Sequence, residues 1–306
     1  MSVHDTHSFA PYVRTLGRGP GRSRSLTREE ARDALTQILT GQALPEQVGA
    51  FLMLLRYRGE DPDEMAGLVE AARTEIPAWD VGGVDLDWPS YADGRTRGAA
   101  HFLHAAKLIA HSGKRVLLHG LPSGPGREAI GEGLAETGIP ITDTEGATRA
   151  ALDTGGIAFV PTTRLAPGIA RLLSLRGILG LRSPINTVAR LLNPFDAAAG
   201  VDGVFHPPYI HVHLEASKRL NRVRLAVLKG GGGEAERRPE KPITVHLLRG
   251  QTVEELLFPA LCGADADDAL AARATVQATV ALGLLALGAA ETVEATEAAA
   301  QILLRF

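Results

Sequence analysis

The segment LTREEARDALTQILTGQALPEQVGAFLMLLRYRGEDPDEMAGLVEAAR, residues 26–73, decides the fold of the first part of the chain. Its apolar residues recur at helical spacing in three short runs that are separated by glycine and proline. Thr27 and Glu30 have the spacing of a capping box, and Asp61 stands where an N-cap should open the third helix. The segment therefore predicts a small N-terminal helical domain over residues 1–80.

Beyond this domain, short β-prone runs alternate with helical ones. The predicted strands are Arg115–His119, Ile157–Val160, Val223–Leu228 and Ile243–Leu248. Strands interleaved with helices imply a mixed, mainly parallel sheet that is covered on both faces. Because 306 residues suit two unequal domains, residues 81–306 are predicted to form a larger α/β domain.

Composition places the chain among globular proteins of a reducing compartment. Hydrophobic residues make up 45% of the sequence, and the single cysteine, Cys262, cannot form an intramolecular disulfide. The first residues contain no apolar run typical of a signal peptide. The apolar segment Ala278 to Ala290 is too short to cross a bilayer and predicts a packed helix. We therefore expect a cytoplasmic protein without a membrane partner.

Positive charge is concentrated in two stretches, although the net charge is −3. No Asp or Glu occurs from Thr154 to Phe195, where the arginines are Arg164, Arg171, Arg176, Arg182 and Arg190. A basic arm runs from Arg14 to Arg24, whereas the C-terminal part of the chain is acidic. Charge segregated in this way makes one surface attractive to polyanions. The plainer interpretation is that the arginines are solvated or pair with distant acids.

A second block, RLAPGIARLLSLRGILGLRSPINTVARLLNPF, residues 164–195, ends in a leucine-rich Asn-Pro. Together with residues 26–73, it resembles the glycosyltransferase family that includes anthranilate phosphoribosyltransferase and the pyrimidine nucleoside phosphorylases. The resemblance implies the nucleoside phosphorylase/phosphoribosyltransferase fold, in which residues 164–193 return to the helical domain. It also implies a homodimer formed through the helical domains. In the enzymes, the arginine at the place of Arg176 helps to hold the aromatic acid substrate.

The motifs that bind diphosphate and metal in this family are not retained. The Gly-Thr-Gly-Gly-Asp loop is replaced within DLDWPSYADGRTRGAAHF, residues 85–102, where aromatic residues and a proline stand instead of glycines. The Lys-His-Gly motif survives only as a leucine followed by His119 and a glycine. The adjacent Asp-Glu pair is replaced in KGGGGEAERRPEK, residues 229–241, by the separated Glu234 and Glu236. We therefore predict no catalytic residue, no metal site and no cofactor.

These departures resemble those of the YbiB-type subgroup, which implies a dimer that binds nucleic acid without sequence preference. The region 206–241 is rich in lysine and arginine, and each basic group that touches a phosphate would make binding salt-dependent. Trp88 and Tyr91 could stack on bases beside Arg95 and Arg97. The nucleic acid is single- or double-stranded DNA or RNA, bound through its phosphate backbone. The predicted contact residues are Arg22, Arg24, Arg164, Arg171, Arg176, Arg182, Lys218, Arg219, Arg222, Lys229, Arg237 and Arg238.

Two alternatives remain open from the residues alone. The first is a pentosyltransferase that acts on an unidentified aromatic or nucleobase-like substrate. It would use His119, Arg176 and the loop Gly230–Gly233 around a phosphorylated sugar. The second is a scaffold whose partner is another protein.

Overall fold

The computed structural model describes residues 7–92, 98–122 and 127–305, which form two compact units. The helical unit consists of the chain up to Pro77 together with Ala166–Leu192. The α/β unit consists of Ala78–Leu165 and the chain from Asn193 onward. The chain therefore leaves the helical unit, builds the first three strands of a sheet, and returns to the helical unit before it completes that sheet.

The helices differ in length from a single turn to 20 residues. In chain order they are α1 Ala10–Gly17, α2 Arg28–Leu39, α3 Pro45–Arg58, α4 Pro62–Arg73, α5 His101–His111, α6 Glu128–Thr137, α7 Glu145–Gly155, α8 Thr162–Leu165, α9 Pro167–Ser174, α10 Arg176–Leu179, α11 Ile185–Arg190, α12 Pro208–Arg219, α13 Asp268–Leu287 and α14 Val293–Leu303.

The predicted caps define the helical unit. The Thr27 hydroxyl accepts from the Glu30 N–H and the Glu30 carboxylate accepts from the Thr27 N–H, which completes the capping box of α2. Asp61 accepts from two backbone N–H groups at the start of α4. Helices α2 and α4 pack so closely that a side chain at Gly67 would overlap the Arg28 carbonyl. These contacts confirm the three predicted helices.

The predicted basic arm begins inside a helix that the sequence analysis did not identify. Arg14 lies in α1, and the buried Leu16 of this helix and Phe9 just before it attach the N-terminal segment to the helical unit. The Phe9 ring packs edge-to-face on Phe51, with 5.4 Å between ring centroids. The arm is therefore anchored at its start rather than extended along its whole length.

Two charged side chains attach the returning segment, Ala166–Leu192, to the rest of the helical unit. The Glu75 carboxylate accepts from the N–H groups of Gly168 and Ile169 at 3.0 and 3.1 Å, at the start of α9. A carboxylate at this position also complements the positive end of the helix dipole. Arg73 donates to the carbonyl of Leu192 at 2.7 Å, where the segment ends.

The α/β unit contains one seven-stranded sheet with the order β3-β2-β1-β4-β5-β6-β7. Its strands are β1 Leu86–Ser90, β2 Val116–Gly120, β3 Ile157–Pro161, β4 Ala199–Val204, β5 Arg224–Lys229, β6 Ile243–Arg249 and β7 Thr252–Phe258. Strands β1 to β5 pair in parallel, whereas β6 and β7 are antiparallel. This arrangement confirms the predicted fold class of a small helical domain and a larger α/β domain with a mixed, mainly parallel sheet.

The four predicted strands correspond to β2, β3, β5 and β6, but β1, β4 and β7 were not identified from the sequence. Strand β1 contains Asp87 and Pro89, and β4 contains two glycines and an aspartate, which are all residues that strands usually avoid. Both strands are nevertheless buried along their whole length. Tertiary burial has therefore overridden weak local β-propensity.

Helix α13 is longer than the expected packed helix between Ala278 and Ala290. It has 20 residues, so by length and composition alone it could cross a membrane. Within the α/β unit, however, 61% of its most apolar window is buried. Leu282 and Leu285 on α13 pack with Trp88 of β1 and Phe102 of α5 in the main core cluster. The burial agrees with the predicted packed helix. The predicted bounds are wrong, because the helix begins at Asp268 rather than at Ala278.

Candidate functional site

The order of the strands marks the place where a ligand is expected. From β1 the chain moves to β2 and β3 on one side of the sheet, and from β4 it moves to β5 on the other. In open α/β sheets, ligands bind in the crevice beyond the carboxyl ends of the strands, at such a switch point. Here the crevice lies between the ends of β1 and β4. An open, mostly parallel sheet with this crevice, joined to a helical unit built from two stretches of chain, defines a phosphoribosyltransferase-type scaffold.

The crevice is closed by residues 230–237, which we call the glutamate strap. Glu234 is buried, and its Oε1 accepts from Ser90 Oγ at 3.2 Å and from the Ala92 N–H at 2.8 Å, directly after β1. A Cβ at Gly203 or at Gly230 would overlap the backbone of Glu234. The two glycines therefore allow the strap to lie against the end of β4.

Glu236 binds the start of helix α5. Its Oε2 accepts from the Phe102 N–H at 2.9 Å, and the whole side chain is buried. Because the first N–H groups of a helix have no partner within the helix, they form a natural anion site that is strengthened by the helix dipole. In this chain the anion at that site is a carboxylate of the protein itself.

The diphosphate and magnesium ion that the family resemblance implies do not fit these residues. Two carboxylates could in principle hold a divalent cation, but both side chains are buried, Glu234 Oε1 accepts from Ser90 and Ala92, and Glu236 Oε2 accepts from Phe102. The backbone donor that a phosphate would use at α5 already has a negatively charged partner. A diphosphate could enter this crevice only if the strap moved out.

A buried network lies on the sheet beside the strap. Asp87 on β1 is completely buried between His119 Nε2, 3.1 Å from its Oδ1, and the Arg222 guanidinium, 3.2 and 3.3 Å from its Oδ2. Burial by itself raises the pKa of Asp87, but the neighbouring His119 and Arg222 outweigh it and hold the pKa below its ordinary value. The Tyr91 hydroxyl lies 2.8 Å from both His119 Nδ1 and Thr162 Oγ1.

This network corrects one of the predicted nucleic-acid contacts. Arg222 lies just beyond α12, which ends at Arg219. Arg222 turns into the sheet and neutralises Asp87, so it cannot reach a phosphate outside. His119 is also completely buried, which removes it as a direct contact for a sugar phosphate.

The predicted basic residues separate into three classes by burial. Half-buried members of the set are Arg176, Arg182, Lys218 and Arg219, and buried members are Arg222 and Arg237. The exposed members are Arg22, Arg24, Arg164, Arg171, Lys229 and Arg238.

Some of the accessible members are paired with acids. Arg24 forms a two-pronged pair with Glu30 at 2.6 and 2.7 Å. Lys218 and Arg219 share Glu215 at 2.7 and 3.0 Å, and these hydrogen bonds lower the pKa of that carboxyl. Such partly exposed pairs are weak and can be exchanged for a phosphate. They reduce the positive charge that is available to a ligand without abolishing it.

Arg237 is a second correction. Its side chain is completely buried, with Nη1 2.6 Å from Glu297 and 3.0 Å from the Ala278 carbonyl. The guanidinium carbon also lies 4.2 Å from the centre of the Phe258 ring. Arg237 therefore joins the strap to α13, α14 and the end of β7, and it has no surface to offer a nucleic acid. The aromatic side chains that were expected to stack on bases, Trp88 and Tyr91, are both buried and cannot do so. Arg95 and Arg97, expected beside them, lie outside the described residues.

The comparisons with known proteins agree with the scaffold. Residues 10–75 match the model of the glycosyl transferase family, helical bundle domain. Anthranilate phosphoribosyltransferase from Anaeromyxobacter sp. (strain Fw109-5) is 29% identical over 298 residues, which cover 87% of this chain and 86% of that protein. An uncharacterized protein from Aquifex aeolicus (strain VF5) is 28% identical over 233 residues, which cover 76% of this chain and 71% of its own length.

Comparison with solved structures also finds similarity to anthranilate phosphoribosyltransferase. The crystal structure of anthranilate phosphoribosyltransferase from Thermus thermophilus superimposes with a TM-score of 0.80 at 23% identity, and the match covers 98% of this chain and 94% of the other. The chain is therefore similar to the glycosyl transferase helical bundle domain over residues 10–75, and it has the anthranilate phosphoribosyltransferase fold over nearly its whole length.

Arg237, at the end of the strap, and the adjacent Arg238 should respond very differently to truncation. Arg237→Ala should lower the free energy of unfolding by about 3–5 kcal/mol, because it leaves the partly buried Glu297 without its partner. Arg238→Ala is the matched control: its side chain is 58% exposed, so its effect should stay within about 0.5 kcal/mol. Urea unfolding followed by circular dichroism measures both values. Equal losses would contradict the burial of Arg237.

Removing the carboxylate at the start of α5 should create an anion site. We expect inorganic pyrophosphate to raise the melting temperature of Glu236→Ala but not that of the wild type, since only the variant offers a vacant helix N-terminus. Pyrophosphate at ten times its Kd would stabilise the variant by about 1.4 kcal/mol. Glu240→Ala, which removes a half-buried carboxylate just beyond the strap, is the control. A wild-type shift as large as that of Glu236→Ala would mean that the strap does not close the site.

Proposed function

We propose that this protein binds nucleic acid without sequence preference, using a phosphoribosyltransferase-type scaffold whose diphosphate crevice is closed. The glutamate strap is the observation that carries the proposal. Glu234 and Glu236 occupy the donors that a small phosphorylated ligand would need, at distances of 2.8 to 3.2 Å. Phosphate recognition by this chain then has to use side chains on its surface.

Exposed cations on both units support this proposal. Arg22 and Arg171 of the helical unit and Arg164 and Lys229 of the α/β unit are exposed, and among the described residues none of them forms an ion pair. Exposed cations without an acid partner attract a phosphate backbone and release its counterions, which gives affinity without base recognition. The same interpretation agrees with the resemblance to the YbiB-type subgroup.

A pentosyltransferase is the second candidate, and the relatives favour it more directly than nucleic-acid binding. The Anaeromyxobacter protein, which matches 87% of this chain, is named as an anthranilate phosphoribosyltransferase. Arg176, half-buried at the start of α10, stands where the enzymes hold their aromatic acid. A rise in the wild-type melting temperature with phosphoribosyl diphosphate and magnesium would support this candidate. No shift at millimolar concentrations of both would count against it.

We also propose that two copies associate through their helical units. Several of the largest exposed apolar side chains belong to this unit: Leu44, Tyr57, Ile178 and Leu181. Ile178 is 82% exposed and Leu181 58% exposed, on and just after α10. Exposed apolar groups of this size are typical of contact surfaces between proteins.

Nucleic-acid binding should depend on the exposed arginines. Changing Arg22, Arg164 and Arg171 together to alanine should weaken binding of labelled single-stranded DNA and RNA. The slope of log K against log salt should fall by about 2, at roughly 0.7 per lost phosphate contact. Fluorescence anisotropy at several salt concentrations measures both quantities.

The control for this experiment changes the exposed Arg32, Arg149 and Arg305, which are outside the predicted set, to alanine. This variant has the same change in net charge and should keep most of the affinity and slope. Equal losses in the two triple variants would argue against a defined surface. No binding by the wild type at low salt would refute the proposal.

Dimerisation should depend on the apolar side chains near α10. We expect Ile178→Asp with Leu181→Asp to shift the sedimenting species from dimer to monomer, because burying two new carboxylates in an interface is costly. Leu257→Asp is the control, since Leu257 is 67% exposed on the α/β unit. A wild type that sediments as a monomer at micromolar concentration, or variants that remain dimers, would exclude this interface.

A further inference from the structure

A groove on the α/β unit combines an apolar lining with basic side chains. It has a volume of about 400 Å³ and lies where α5, α13 and the residue after α14 meet. Its apolar lining is formed by Leu108, Val276 and Leu304, each only partly buried. A volume of about 300–1,000 Å³ is usual for sites of small organic ligands.

Basic groups line the same groove. Lys107 and His111 lie four residues apart on α5 and therefore share one helix face, while Arg273 comes from α13. Lys107 Nζ donates to the carbonyl of Thr137, which holds the ammonium group in place. Among the described residues, no hydrogen bond or ion pair engages the side chains of His111 or Arg273. Both are exposed and available to an anion.

One acid lies at the margin of this groove. Glu136 is 3.5 Å from His104 Nε2. Lys107, Arg273 and the ring N–H of His111 remain as donors to a ligand. Because cations at one place are combined with aliphatic side chains, the groove complements a molecule that has an anionic head and an apolar body.

We propose that this groove binds a small amphipathic anion, a phosphate monoester or a carboxylate with a short apolar chain. The anionic head would bind Arg273, Lys107 and His111, and the chain would cover Leu108, Val276 and Leu304. The site uses neither the crevice at the sheet nor the proposed nucleic-acid contacts. Its test is therefore independent of the proposed function.

Octyl phosphate at concentrations below its aggregation limit is the probe, and isothermal titration calorimetry is the measurement. We expect saturable binding of one molecule per chain. Octanol, which lacks the charge, and inorganic phosphate, which lacks the chain, should each bind at least tenfold more weakly. Vesicles of phosphatidylglycerol test whether the anion is instead a lipid headgroup. Binding to vesicles without binding of free octyl phosphate would overturn the proposal.

Alanine substitutions test whether octyl phosphate binds in this groove. Arg273→Ala should weaken octyl phosphate binding at least tenfold, and His111→Ala should weaken it severalfold. Both residues are exposed, so the fold should be retained, which circular dichroism checks. Lys241→Ala removes an exposed cation elsewhere on the same unit and should leave binding unchanged. Two results would show that the groove is not a site for this class of anion: octanol that binds as tightly as octyl phosphate, or an Arg273→Ala variant that binds octyl phosphate as tightly as the wild type.

Discussion

The contact of Glu234 with the end of β1 depends on two glycines, and much of the α/β unit depends on that contact. Gly203 and Gly230 leave room for the backbone of Glu234, so the strap can enter the crevice between β1 and β4. Its carboxylates then bind Ser90, Ala92 and Phe102, groups that would otherwise be buried donors without a partner. Since Arg237 fixes the far end of the strap against Glu297, the closed crevice is part of the packed core.

Burial determines what each charged group can do in this protein. Asp87 and Arg222 compensate one another inside the sheet, as Arg237 and Glu297 do beside α13. A buried charge is stable only when it is paired, so these arginines serve the fold and are lost to any ligand. Arg238, in the same sequence region, remains at the surface and is paired with Glu240 at 3.5 Å, a partner that a phosphate can replace. The number of basic residues in a stretch of sequence therefore overestimates the positive charge that this stretch presents at the surface.

The fold of this chain does not by itself determine its activity. Its fold is that of anthranilate phosphoribosyltransferase over nearly its whole length. Function, however, depends on the groups at the site, and one fold can carry several activities. The closed crevice argues for a surface-based interaction with a polyanion, whereas the relatives argue for pentosyl transfer. The two proposals differ in a physical property, namely whether the α5 N-terminus is available to phosphate.

Local signals in the sequence determined the helices α2, α3 and α4, the strands β2, β3, β5 and β6, and the overall class of the fold. Capping boxes, prolines and apolar periodicity act within a few residues, so they can be identified without knowledge of the tertiary structure. Only the tertiary structure decided that Asp87, His119 and Arg222 form one buried network, and that Glu236 meets α5. The partners are far apart in the chain: 135 positions separate Arg222 from Asp87, and 134 separate Glu236 from Phe102. Pairing of a charge at such a distance depends on strand order and burial, which no local pattern of residues encodes.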